Sequence, residues 1–196
     1  MFSGCNGLTS MDLSNFDTSN VIDMECIFEG CSSLTNLDIS KFNTSEVTSM
    51  YRMFSSCGNL TNLNISNFDT SKVISMTNMF EGCRNLTSLD LSNFYTGNVT
   101  SMGSMFEDCK NLTDLNISNF NTSKVISMSR MFKGCENLIS LDLSNFNTVK
   151  VKTMDNMLFG CKNLVELNIS HLNTSNVTSM VYMFSGCSSL TNHRLP

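Results

Sequence analysis

Residues Leu34 to Asn59 read LTNLDISKFNTSEVTSMYRMFSSCGN, and the rest of the chain is a set of variations on this 26-residue unit. Cysteine stands at positions 5, 31, 57, 83, 109, 135, 161 and 187. Methionine fills positions 24, 50, 76, 102, 128, 154 and 180. A second methionine column runs from Met53 to Met183, and Ile27 takes its place once. Self-similarity at a fixed period of roughly 20–50 residues marks stacked supersecondary units that cover one another's faces. The 196 residues therefore predict a single solenoid domain, 1–196, of about seven and a half coils.

Within the unit, Leu34-x-x-Leu37-x-Ile39 alternates apolar and polar positions over a strand-length stretch. Leu37 and Ile39 face inward in this reading, and Asn36, Asp38 and Ser40 face outward. The segment Met50-x-x-Met53-Phe54-x-x-Cys57 follows the i, i+3, i+4, i+7 rule for one face of a short helix. Asp23, Ser49, Ser75, Ser101, Ser127, Thr153 and Ser179 precede it, and each residue type is a good helix N-cap. Gly30, Gly82, Gly134, Gly160 and Gly186 fall where a helix often ends in a left-handed residue. Thr44 and its equivalents are expected to bond local backbone at the bend.

A weaker doubling of the period is also present. The units beginning at Leu60 and Leu112 share Asn-Ile-Ser-Asn-Phe, whereas those beginning at Leu86 and Leu138 share Leu-Asp-Leu-Ser-Asn-Phe. This pattern reads as duplication of a pair of coils.

Leu-x-x-Leu-x-Leu/Ile followed by a helical return resembles the leucine-rich repeat. The fuller pattern, with Phe42, Thr44, Val47, both methionines and the cysteine in register, is similar to the BspA-like repeat of bacterial surface proteins. The likeness covers the whole chain, although Phe42 stands where ordinary leucine-rich repeats carry Asn or Cys. It implies an α/β, right-handed solenoid with one parallel strand and one short helix per coil. It further implies a cell-surface or secreted location and an adhesion-like role, and it carries over no catalytic residue.

Composition narrows the function. The net charge is −5, and the 12 Lys and Arg residues are scattered, so neither nucleic acid nor an anionic membrane surface is an expected partner. No apolar run is long enough to insert into a membrane. Met1 occupies the repeat's own methionine column, and Phe2-Ser3-Gly4-Cys5 matches Phe184-Ser185-Gly186-Cys187. The chain is thus expected to be a fragment of a longer one, with any signal or anchor outside it. His193 and Arg194 replace the inward leucine and outward acid of the type unit, and end-to-end stacking is a further expectation.

Residues that could have carried chemistry fall into the repeat. No Cys-x-x-Cys pair suggests zinc, and Cys31, Cys57, Cys83, Cys109, Cys135 and Cys161 read as a buried ladder of reduced thiols. Cys26 is off the beat and reads as solvent-facing. The two histidines, His171 and His193, have no repeated nucleophile beside them, so no enzyme activity and no cofactor or metal is expected. What remains is the outward strand face. Its candidate binding residues are Asn36, Asp38, Asn62, Asn64, Asp90, Asp114, Asn116, Asp142 and Asn168. The expected function is a non-catalytic module that recognises a host protein or glycan through these positions. The alternative is a structural spacer or self-associating stalk.

Overall fold

The computed structural model describes residues 1–194. Each coil contributes one short strand at the same phase of the repeat: β1 Asn36–Leu37, β2 Asn62–Leu63, β3 Ser88–Asp90, β4 Asp114–Asn116, β5 Ser140–Asp142, β6 Glu166–Asn168 and β7 Asn192–Arg194. Every pairing is parallel and in register with the repeat, as in Leu89↔Leu115 and Leu141↔Leu167. The strands form three sheets, β1-β2, β3-β4 and β5-β6-β7, with open steps between β2 and β3 and between β4 and β5. These strands alternate as the sequence predicts. Leu37, Leu89, Leu141 and Leu167 are buried, and their outward neighbours are exposed except for the half-buried Asn168.

The second half of the coil corrects the expectation of a helix. Among the described residues there is none. Ser49 and its equivalents form parallel bridges from coil to coil, Asp23↔Ser49↔Ser75 and onward to Ser179. The segment after each bridge is a run of tight turns. The N–H groups of Ile27, Glu29 and Cys31 donate to the carbonyls three residues earlier. The intervening N–H groups of Met24, Cys26, Phe28 and Gly30 donate to Ser49, Tyr51, Met53 and Ser55 of the next coil. Alternate turns place a left-handed residue at their third position, at Cys26 (φ 54°) and Gly30 (φ 71°), as a type II turn requires. The physical reason is spacing. Paired strands lie about 4.8 Å apart, whereas a helix with its side chains is about 10 Å wide. Ladders bonded coil to coil on both sides leave no room for helices. The solenoid is therefore β in class, and the α/β assignment fails on the helix.

Ser49 and Ser127 still place a hydroxyl near the N–H two residues on, at 3.4 and 3.5 Å, but they serve a turn instead of a helix. Thr44 is likewise reassigned. Its hydroxyl reaches the next coil, donating to the Asp69 carbonyl at 2.9 Å while accepting from the Asp69 N–H at 2.8 Å. Thr18, Thr70 and Thr96 repeat this two-way bond.

One hydrophobic cluster runs through the coils from Leu13 to Met183. Its spine is a file of offset phenylalanines, Phe2, Phe28, Phe54, Phe80, Phe106 and Phe132, with ring centroids 5.5–5.8 Å apart. Both methionine columns and the cysteine column flank it, buried through the interior coils.

The turn ribbon also holds strain that can be relieved. Ser56 and Asp108 adopt φ of 61° and 58° where other coils carry glycine. A left-handed residue with a Cβ costs about 1–2 kcal/mol, partly offset by the roughly 0.5–1 kcal/mol that glycine loses in chain entropy. Ser56→Gly is expected to raise stability by about 0.5–1 kcal/mol. A urea midpoint that fails to rise in the variant would contradict this.

Candidate binding surface

The strand face brings the predicted residues together in two columns. Asn36, Asn62 and Asp114 share one with Ser88, Ser140 and Glu166, and Asp38, Asn64, Asp90, Asn116, Asp142 and Asn168 fill the other. Pairings such as Asp90↔Asn116 and Asp142↔Asn168 hold the second column in register. Ser88, Ser140 and Glu166 were absent from the candidates read from the sequence. The 26-residue beat alone places them in the same column.

The second column also has a structural task. The Oδ1 atoms of Asp38, Asn64, Asp90, Asn116, Asp142 and Asn168 accept the N–H of the serine two residues on, at 2.8–3.4 Å. In the asparagine coils the serine hydroxyl donates to the same oxygen at 2.8 Å. Asp or Asn followed two places later by Ser is an Asx-type turn that fixes the chain as it leaves the strand. Hydrogen bonds from the hydroxyl and backbone of Ser40 hold the Asp38 carboxyl below its usual range. For Asp90 the backbone and then the hydroxyl of Ser92 do the same, with help from Asn116. These carboxylates are oriented and ionised at neutral pH.

Two further sets of asparagines tie the coils together. Asn85, Asn111, Asn137 and Asn163 each donate Nδ2 to the Oδ1 of the asparagine one coil back, at 3.2–3.4 Å. The second set crosses paired and open steps alike: Asn67 donates to the Ile39 and Phe42 carbonyls at the paired step β1-β2, and Asn93 and Asn145 act at the two open steps. Asn93 donates to the carbonyls of Ile65, Ser66 and Phe68, and Asn145 to those of Ile117, Ser118 and Phe120, all at 3.1–3.3 Å.

A family model described as "Mycoplasma protein of unknown function, DUF285" matches residues 1–114 and again 74–195. The chain belongs to this family. No curated protein matches it. Among solved structures, it is similar to a leucine-rich repeat protein from Bacteroides ovatus, at 19% identity and a TM-score of 0.46. That likeness covers 99% of this chain and 62% of the other, so the chain spans less than two thirds of that relative. It is also similar to a leucine rich cell surface protein from Faecalibacterium prausnitzii, at 19% identity and a TM-score of 0.35, covering 99% of this chain and 74% of that one.

In this DUF285 solenoid the cysteines line the core. All nine are free, and Cys31, Cys57, Cys83, Cys109, Cys135 and Cys161 are buried. Each of these six thiols donates to a carbonyl one coil back, as Cys57 does to Phe28 and Cys83 to Phe54, both at 3.1 Å. Burial pushes the Cys57 thiol up to about 12 and Cys83 well above its ordinary value. A thiol without thiolate character is a poor nucleophile. The six ladder thiols are therefore expected to resist a thiol reagent in the native protein, with all nine reacting once it is denatured. Cys26 is half-buried beside Glu29, which also holds Arg52 at 2.9 Å. Cys26, Cys5 and Cys187 are the sites open to native labelling. Mass spectrometry of the labelled peptides checks this, and native modification of Cys83 or Cys109 would refute it.

Proposed function

We infer that the chain is a non-catalytic binding module, carried on a bacterial cell surface or secreted, which engages a host protein or glycan through its strand face. The observation that carries this reading is the paired columns of short polar side chains. They are exposed apart from the half-buried Asn168, in register, and in the second column fixed by their own turn bonds. A surface whose groups are already oriented loses little freedom on binding, which is where affinity is usually lost. Repeat solenoids use extended faces of this kind for recognition. Among the described residues no helix is long and apolar enough to cross a membrane.

The test must separate binding from folding. Alanine at Asp38 or Asp90 would remove the turn bond, so those positions and Asp142 are changed to asparagine, which keeps Oδ1. Asn36, Asn62 and Asp114 are changed to alanine. The combined variant is expected to keep its unfolding midpoint and lose adhesion of coated beads to epithelial cell layers. Lys72, Lys124 and Lys150, exposed on another face, become glutamine in the control. Adhesion that survives the strand-face set and fails in the control would move the site to the lysine face. Adhesion untouched by both would favour the spacer, whose only task is to hold other parts at a distance.

A further inference from the structure

One of the two open steps of the strand face contains a cleft of about 290 Å³, between β4 and β5. Asn116 and Ser118 stand on one side, Ser140, Asp142 and Ser144 on the other, and Leu115 contributes to the lining. Leu115 is half-buried, whereas Leu37, Leu63, Leu89, Leu141 and Leu167 in the same column are buried. At this step one apolar side chain is thus partly uncovered within a polar rim. The walls are held before any ligand arrives. Asp142 anchors the Ser144 N–H at 2.8 Å, Asn116 anchors Ser118, and Asn145 clamps three carbonyls of the opposite wall.

The chemistry of the rim selects the occupant. Residues 112–118, 138–144 and 164–170 contain Asp114, Asp142 and Glu166 and no Lys, Arg or His. An anionic ligand meets repulsion there. A lysine or arginine tip offers no acceptor to the hydroxyls of Ser140 and Ser144. A sugar ring suits both, since its hydroxyls donate to a carboxylate and accept from serine, and its C–H face covers Leu115. The volume of about 290 Å³ lies just below the roughly 300–1,000 Å³ typical of small-molecule sites, which suits one ring better than a folded segment. We propose that this cleft takes a single pyranose ring of an uncharged glycan. The proposal rests on the strand face being the binding surface.

The experiment uses the full chain on an array of immobilised neutral, sialylated and uronic-acid oligosaccharides, followed by titration with the best neutral binder. Neutral glycans are expected to be retained and the acidic ones not. Ser140→Tyr, which fills the cleft, is expected to weaken binding by about tenfold or more, the loss of roughly one good contact. Asp142→Asn, which keeps the turn bond, is expected to weaken it in the same direction. Lys72→Tyr, exposed on the lysine face away from the cleft, is expected to leave it unchanged. Retention of acidic glycans alone, of none, or of neutral glycans with undiminished affinity in Ser140→Tyr and Asp142→Asn would each overturn the proposal. Epithelial adhesion of the same variants separates the two claims. Adhesion lost in the combined strand-face variant but kept in Ser140→Tyr leaves the surface standing and removes the cleft.

Discussion

Phe80→Ala is expected to lower the stability of the stack by about 3–5 kcal/mol, the usual cost of removing a fully buried phenylalanine. Phe80 has no solvent exposure and lies between Phe54 and Phe106, at 5.7 and 5.8 Å between ring centroids. The ring thus belongs to two coil interfaces at once. In a solenoid each coil is stabilised chiefly by its neighbours, so weakening both interfaces of an interior coil divides the stack. Urea unfolding followed by circular dichroism should show a lower midpoint, or a broadened transition as the two halves separate. Ile74→Ala is the comparison. Ile74 is 51% exposed, and its replacement is expected to cost no more than about 0.5 kcal/mol. Equal effects from the two variants would mean that the phenylalanine file is not the spine of the core.

Thr96→Val is expected to cost about 2–4 kcal/mol, although it preserves the shape of the side chain. The Thr96 hydroxyl is fully buried, donates to the Asn121 carbonyl at 3.1 Å and accepts from the Asn121 N–H at 2.7 Å. Valine leaves both backbone groups without their partner, away from water. Thr96→Ser keeps the hydroxyl and loses only a methyl group, a cost of about 1 kcal/mol. The difference between the two variants therefore reports the bond itself. If serine and valine destabilise alike, the threonine column is ordinary packing and not a coil-to-coil tie.

The outcome at Thr44 and its equivalents shows how much the sequence could reveal. Their repetition marked them as structural, and the reading of a local turn followed from the ordinary behaviour of threonine. Only stacking brings Asp69 to Thr44, 25 residues away, so the partner could not be found by inspecting neighbours in the chain. The same applies to Asn93 and Asn145. As members of a repeating column they looked alike, and the open steps they bridge appear only once the coils are assembled.

The helix was misread for a related reason. Apolar residues at Met50, Met53, Phe54 and Cys57 satisfy helical spacing, yet successive tight turns bury the same positions. The first left-handed site of each ribbon carries Cys26, Arg52, Asn78, Ser104, Arg130, Asn156 or Tyr182, none of them glycine. A local pattern could not show that each second N–H is needed by the next coil.

The sequence by itself determined the period, the solenoid, the inward and outward sides of each strand, and the membership of every core column. These are consequences of hydrophobic alternation and a fixed repeat, which local residues specify. The tertiary structure alone decided that the return segment is a ribbon of turns, that the strand face divides into three sheets, and that a cleft opens beside Leu115. Those features depend on how backbone donors are shared between coils, at a spacing too narrow for helices, and that sharing exists only after stacking.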